Sequence, residues 1–296
     1  EHERLPYPLA QAALAMLEEG DGGGLVRPFF KKWTMWAGFA LPFVVSTVNA
    51  LHHYFPSVTP IALSSSIGLF QQHIILRFGL NFLMLGFAYF ISTGISFSIW
   101  FFYLVHLVQE SLFYNLGIPR AEAELGWLSD PGMGHQMMGA LIVLVLAGLW
   151  IGRRHFSVVW RRAVLGTGSA DEAGEIMSYR SAFAGFLVGT LTMWIWLWQS
   201  GIPAWIAPLF IFAGLVIFIG LTRIIVEAGL PTVVPAMIPA GFVVSAVGVP
   251  ALGVRGMIAA GYTMVWCGDI LVFMMAPLAN GLRLSSEISG NRRPLL

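Results

Sequence analysis

"LTRIIVEAGLPTVVPAMIPAGFVVSAVGVP", residues 221–250, is apolar enough for a membrane and carries helix breakers along its second half. Arg223 and Glu227 stand four residues apart, so on a helix they share a face and are placed to pair. Gly229 suits the end of that helix, and Pro231 prevents its continuation. Pro235, Pro239 and Pro250 follow, with Gly241 and Gly248 between them. Such residues free backbone groups that lipid cannot satisfy, so they are tolerated where protein buries them or a wet cavity faces them. This places 231–250 inside a helix bundle. Interrupted spans next to polar residues are also the sequence pointer to a transporter binding site. Arg223 and Glu227 then read as a charged pair at the mouth of a cavity. The plainer alternative is an interfacial pair that ends a span, with the arginine reaching back to the surface.

Composition agrees with a bilayer as solvent. Of 296 residues, 57% are hydrophobic and 10% charged, against about 25% charged in an ordinary soluble domain. A net charge of +1 gives no reason to expect nucleic acid. The lone Cys267 excludes an intrachain disulfide and a cysteine-based zinc site. The 11 Trp and 22 Phe, several near span ends, fit an aromatic belt without any cofactor, and none is expected. No P-loop, HExxH or GxSxG motif marks an enzyme.

A spanning helix needs about 20 apolar residues. Spans are expected at 33–54, 135–152, 181–200, 203–223 and 257–278. Residues 231–250 are expected to cross once and 78–116 twice, as a hairpin broken at "STGIS" (92–96). An alternative has 60–77 crossing and 78–116 as one long helix. The fold class is therefore an all-α polytopic bundle of 7–8 spans, some broken. Lys31 and Lys32, then Arg153, Arg154, Arg161, Arg162 and Arg180, then Arg283, Arg292 and Arg293, all fall on one side, which is cytoplasmic. Residues 1–32 form a cytoplasmic segment with an amphipathic helix. Residues 33–280 form the transmembrane bundle, with a cytoplasmic loop at 153–180, and 281–296 form the tail.

Asp269 lies inside the apolar run "GYTMVWCGDILVFMMAPL" (261–278). An ionisable residue within a span is a functional-site hypothesis by default. It reads as a coupling carboxylate, or as a hydrogen-bonded group that knits helices together. His106 and Glu110, four apart in "WFFYLVHLVQES", could carry a proton relay or mark a polar helix end. Met133, His135, Met137 and Met138 suit Cu(I) by ligand type, but methionine is also a common gap filler, and no metal is expected. His52 and His53 are neighbours on a helix and point in different directions, which suits an interfacial role.

The opening "ERLPYPLAQAALAMLEEGDGGG" resembles a segment of the oligopeptide transporter superfamily and its yellow-stripe-like relatives. The match runs through Leu5, Pro6, Tyr7, Pro8, Ala12, Leu17 and Gly20, and departs at Leu9, Ala10 and Leu14. "FSIWFFYL" (97–104), "EIMSYRSA" (175–182) and "TRIIVEAGLP" (222–231) are similar to uncharacterised bacterial membrane proteins of that type. Members are longer than this chain, which implies a fragment; the missing initiator Met is expected of a processed protein or of a piece of a longer one. The resemblance implies a proton-coupled importer of peptide-like or metal-chelate solutes in the bacterial inner membrane. The expected partners are a small solute, a coupling proton, the bilayer and a second copy of the chain. Asp269 would couple the ion, Arg223 and Glu227 would flank the cavity, and Pro231, Pro235 and Pro239 would expose backbone carbonyls. Two rival readings are an assembly subunit of a membrane complex, and an intramembrane lipid-modifying enzyme using His106 and Glu110 as acid and base.

Overall fold

A computed structural model describes residues 7–17, 28–69, 74–117, 131–165, 177–230, 233–235, 237–267 and 273–288. The chain divides into two compact units, Glu1–Pro119 with Val226–Pro231, and Arg120–Ile225 with Thr232–Leu296.

The first unit opens with α1 (Pro8–Leu17) and a single turn, α2 (Pro28–Lys31). The Tyr7 carbonyl accepts from the N–H groups of Ala10 and Gln11 at 3.1 and 3.3 Å, and Pro8 takes the first helical position, where its missing N–H costs nothing. Next comes α3 (Trp33–Tyr54), which has no buried residue. Pro56 stops it, and Asn49 exchanges two hydrogen bonds with the backbone of Ile61 (3.1 and 2.7 Å), folding the following loop back onto its end. Strands β1 (Ser64–Leu69) and β2 (Ile74–Gly79) pair antiparallel, from Ser64 opposite Gly79 to Leu69 opposite Ile74. Then come α4 (Phe82–Ala88) and α5 (Thr93–Asn115). Ser92 caps α5, its Oγ accepting from the Ile95 N–H at 3.4 Å. The "STGIS" stretch is therefore a helix start.

The second unit holds α6 (Pro131–Ile151), α7 (Arg153–Leu165), α8 (Tyr179–Ser200), most of α9 (Ala207–Ala228), α10 (Pro239–Val247), α11 (Val249–Cys267) and α12 (Met275–Ile288). Helix α8 ends on Gly201 at φ +118°, with Ile202 N–H returning to the Leu197 carbonyl at 3.1 Å. The core gathers on α9, through Phe210, Ile217 and Leu221, against Met138 of α6, Leu197 of α8 and Val243 of α10.

The protein is a helical, multi-pass membrane protein. Among the described residues five helices are long and apolar enough to cross a bilayer: α3, α5, α6, α8 and α9. In α9, 56% of the most apolar window is buried, against 0–17% in the other four. Helix α9 is thus the protein-covered one, while the others turn apolar surface outward, as lipid contact requires.

Five is fewer than the 7–8 spans expected, and the difference has local causes. Residues 64–69 and 74–79 are paired strands, so a helix crossing over 60–77 is not what they form. In 78–116, α4 has seven residues, about 10 Å of helix against a hydrocarbon core of about 30 Å. That region supplies one span-length helix where two were expected. The run 231–250 is not one helix: 233–235 and 237–238 are non-helical and α10 has nine residues. The single span expected at 257–278 is two helices, since α11 ends at Cys267 and Phe273 and Met274 are non-helical. The loop at 153–180 is partly helical, containing α7 and the start of α8.

Candidate functional site

Helix α9 carries Arg223 close to its C-terminal end. The side chain is half-buried, and its guanidinium lies against the Cα of Gly148, in the last turn of α6. A Cβ on Gly148 would run into Arg223 Nη1. The last turn of a helix carries the negative end of its macrodipole, which favours a cation there. One turn earlier on α9, Gly220 faces α6 too, and a Cβ there would stand 2.9 Å from Leu141 Cδ2. Glycines at these two places leave room for the facing helix's side chains, Arg223 at Gly148 and Leu141 at Gly220, to lie against the backbone.

Glu227 follows on the next turn of α9 and is exposed, while Ala228 and Gly229 are buried. Gly229 ends the helix with φ +71°. Its Cα is covered by Pro8: a Cβ there would fall 2.6 Å from Pro8 Cβ and 2.7 Å from Pro8 Cγ. Pro8 is itself buried, and Tyr7 before it has φ +44°, a left-handed conformation unusual for a side chain of its size. Two motifs singled out separately in the sequence, the LPYP segment and the "EAGLP" helix end, therefore meet in one contact.

Beyond Gly229, residues 230, 233–235 and 237–238 are non-helical, and α10 starts at Pro239. Pro235, Met237, Ile238, Pro239 and Ala240 are all buried. Ile238 is the N-cap of α10 and offers no side-chain acceptor; Pro239 occupies the first turn, where its lack of an N–H leaves one orphan donor fewer. Val233 is half-buried and Val234 exposed, so protein covers the non-helical backbone at Pro235, Met237 and Ile238, and cover is the condition under which a membrane tolerates it.

His106 and Glu110 lie one turn apart on α5, both half-buried, around buried Leu107 and Ser111. His52 Nδ1 is 2.7 Å from the Val58 carbonyl oxygen, so that imidazole holds the loop after α3. Met138 is buried in the core while Met137 is 41% exposed, so the two thioethers diverge. Among the described residues no three His, Cys, Asp or Glu side chains gather as a metal site. Asp269, Pro231, Leu5 and Pro6 lie outside the described residues, as does the side chain of Met133.

Two features were not anticipated. One is the notch at Gly148; its signal was present as Gly148-x-x-x-Gly152, the small-residue spacing of packed membrane helices. The other is a cavity of about 470 Å³ between α8 and α11, lined by Trp196, Tyr262, Thr263 and Trp266 among others. Thr263 Oγ1 donates to the Ala260 carbonyl at 2.6 Å, and Ser200 Oγ to that of Trp196 at 2.8 Å. Both hydroxyls are turned onto their own helices, so the cavity presents apolar walls.

Residues 1–296, the whole chain, match the model of a family described as of unknown function, DUF6785. No curated protein and no solved structure matches.

Proposed function

The chain belongs to this family of unknown function, DUF6785, and we propose its activity from the site itself: a secondary transporter, driven by protons, for a small polar solute. The carrying observation is the end of α9. Of the five span-length helices the most apolar and most buried stops at Gly229; 233–235 and 237–238 after it are non-helical, with Pro235, Met237 and Ile238 buried, and Arg223 is half-buried one turn before Glu227. Broken helices inside a bundle are how transporters offer backbone groups to a solute or ion. A half-buried arginine supplies a fixed positive charge for an anionic group.

In this reading Arg223 holds the solute's negative end. Asp269 takes and releases the coupling proton, and the 233–240 segment rearranges between states. The resemblance of the LPYP segment to oligopeptide transporters favours peptide-like or metal-chelate solutes, and the bacterial inner membrane as the location. The 7–8 crossings of that reading need α11 and the α4 region to enter the membrane beside the five long helices. Assembly subunit is the second reading; it is favoured by α3, which buries none of its residues and stacks Phe39 on Phe43 at 5.5 Å on an exposed face.

The test is uptake into proteoliposomes with and without an inward proton gradient, using short peptides and their metal chelates as probes. Gradient-driven uptake is expected in the wild type. It should be abolished in Asp269→Asn, which keeps shape and hydrogen-bonding capacity but cannot ionise, with thermal unfolding in detergent unchanged. Normal gradient-driven uptake by a stable Asp269→Asn protein removes that residue from coupling. Absence of uptake for both probe classes, in protein shown to be folded, favours the assembly reading.

A further inference from the structure

We propose that α7 is a binding surface for anionic phospholipid, its arginines meeting headgroup phosphates and its apolar face meeting acyl chain. The helix reads "RRHFSVVWRRAVL", with four arginines and no carboxylate. Arg154 and Arg161 are seven apart and share one face, flanked by Arg153 and Arg162. Phe156, Val159, Trp160 and Ala163 recur at the spacing of the opposite face. That apolar face is only partly used by the protein. Trp160 meets Phe183 of α8 edge-on, ring centres 5.2 Å apart. Phe156 and Trp160 nevertheless remain 50% and 58% exposed, and Val164 beside them 52%. A helix that is basic on one side and apolar on the other, with aromatics on the apolar side, is the pattern of one lying at a membrane surface.

Its neighbours fix its level. Helix α7 begins one residue after α6, a span-length helix, ends at Ile151. Arg153 bridges that junction: its Nη1 donates to the Trp150 carbonyl at 2.8 Å and its guanidinium stacks 4.8 Å from the Trp150 ring. At the other end Arg162 lies 5.6 Å from the ring of Tyr179, the first residue of the next span-length helix. The end of one span and the start of another therefore bracket α7, which favours lipid over a soluble partner as the occupant. Arg154 and Arg161 are exposed. The nearest acidic residues in sequence beyond α7 are Asp171, Glu172 and Glu175, which lie outside the described residues. Whether they neutralise the arginines is one outcome of the test.

The experiment uses the whole chain in nanodiscs carrying traces of photoactivatable phosphatidylglycerol or phosphatidylcholine, with cross-links mapped by mass spectrometry. The expected result is labelling within 153–165 that prefers the anionic probe by roughly tenfold or more at low salt, and less at high salt. R154Q/R161Q should lose the preference and R154K/R161K should keep it. Equal labelling by both probes in the wild type overturns the proposal and assigns the charge balance to the acidic loop. A preference that survives R154Q/R161Q overturns it too. Displacement of the anionic probe by inorganic phosphate would replace lipid with a free anion. If R154Q/R161Q fails to fold, the wild-type map decides, since anionic cross-links lying outside 153–165 overturn the proposal.

Discussion

At Gly229 a single missing methyl group joins two distant parts of the sequence. The residue sits at φ +71° with Pro8 packed on its Cα. Alanine there would take a left-handed conformation, costing about 1–2 kcal/mol, and its Cβ would collide with a ring that is rigid and buried. Gly229→Ala should therefore lower stability by roughly 2–4 kcal/mol and release α1, read as faster hydrogen exchange over residues 8–17. Pro8→Gly in that background should relieve the collision and leave the backbone cost. A double-mutant cycle should show coupling of about 1 kcal/mol or more; additive effects would mean that the contact carries no energy. Gly148 makes a contrasting case, because the atom it would meet is the far end of a flexible arginine. Gly148→Ala should cost less in thermal unfolding than Gly229→Ala, since the obstructing atom ends a long side chain and is not part of a buried ring. Gly148→Leu should displace the guanidinium from the end of α6. In the transport reading it should cost as much uptake as Arg223→Gln, and the double variant should be no worse than either single one. Independent, multiplying losses would separate the notch from Arg223.

Among the elements, the segment from Gly229 to Ile238 decides between a static plug and a moving part. Ala240, in the first turn of α10, is 1% exposed. Ala240→Cys should be protected from an impermeant thiol reagent in resting membranes and should gain reactivity when a proton gradient drives cycling. Protection under both conditions would make 233–240 fixed packing and remove the cavity. Its burial also amends the sequence argument, which allowed either protein cover or a wet cavity; this conformation has protein cover. The break itself was legible, because Gly229 and the prolines act through local backbone chemistry that needs no partner to be known. Four of the five long helices, α3, α6, α8 and α9, were legible for the same reason: apolar length is a local property. What escaped was wherever two chemistries fit one pattern. Ser92 looked like an interruption within an apolar run and is the cap that starts α5. Residues 64–79 are apolar enough to suggest a crossing, yet Ser64–Ser66 opposite Arg77–Gly79 suit a ribbon. The meeting of Pro8 with Gly229 was illegible, since nothing local in either motif names the other.

For the whole molecule the sharpest consequence concerns which way the chain faces. Lys31 and Lys32 share a side with the arginines of 153–162 only if an even number of crossings separates them. Among the described residues the span-length helices in that interval are α3, α5 and α6, which is odd. An odd number of crossings would put the two clusters on opposite faces of the membrane. The larger cluster should then set the orientation, because the bias is counted in Lys and Arg near span ends. Arg153, Arg154, Arg161 and Arg162 outweigh Lys31 and Lys32. We therefore expect Ser157→Cys, exposed on α7, to be labelled by an impermeant reagent only from the cytoplasmic side, and Lys32→Cys only from outside. Labelling of both from one side would demand a fourth crossing. The candidate is α4 with its flanking residues, dipping into the bilayer without a full-length helix. A seven-residue helix could serve there only if its ends, like the backbone at Pro235, Met237 and Ile238, were covered by protein. That result would restore the shared cytoplasmic face and make α4 a second broken element. It would also strengthen the transporter reading, since paired interruptions are what a solute site between two halves requires. Opposite labelling would leave the end of α9 as the principal break, and would confine the search for a solute site to Arg223, the 233–240 segment and Asp269.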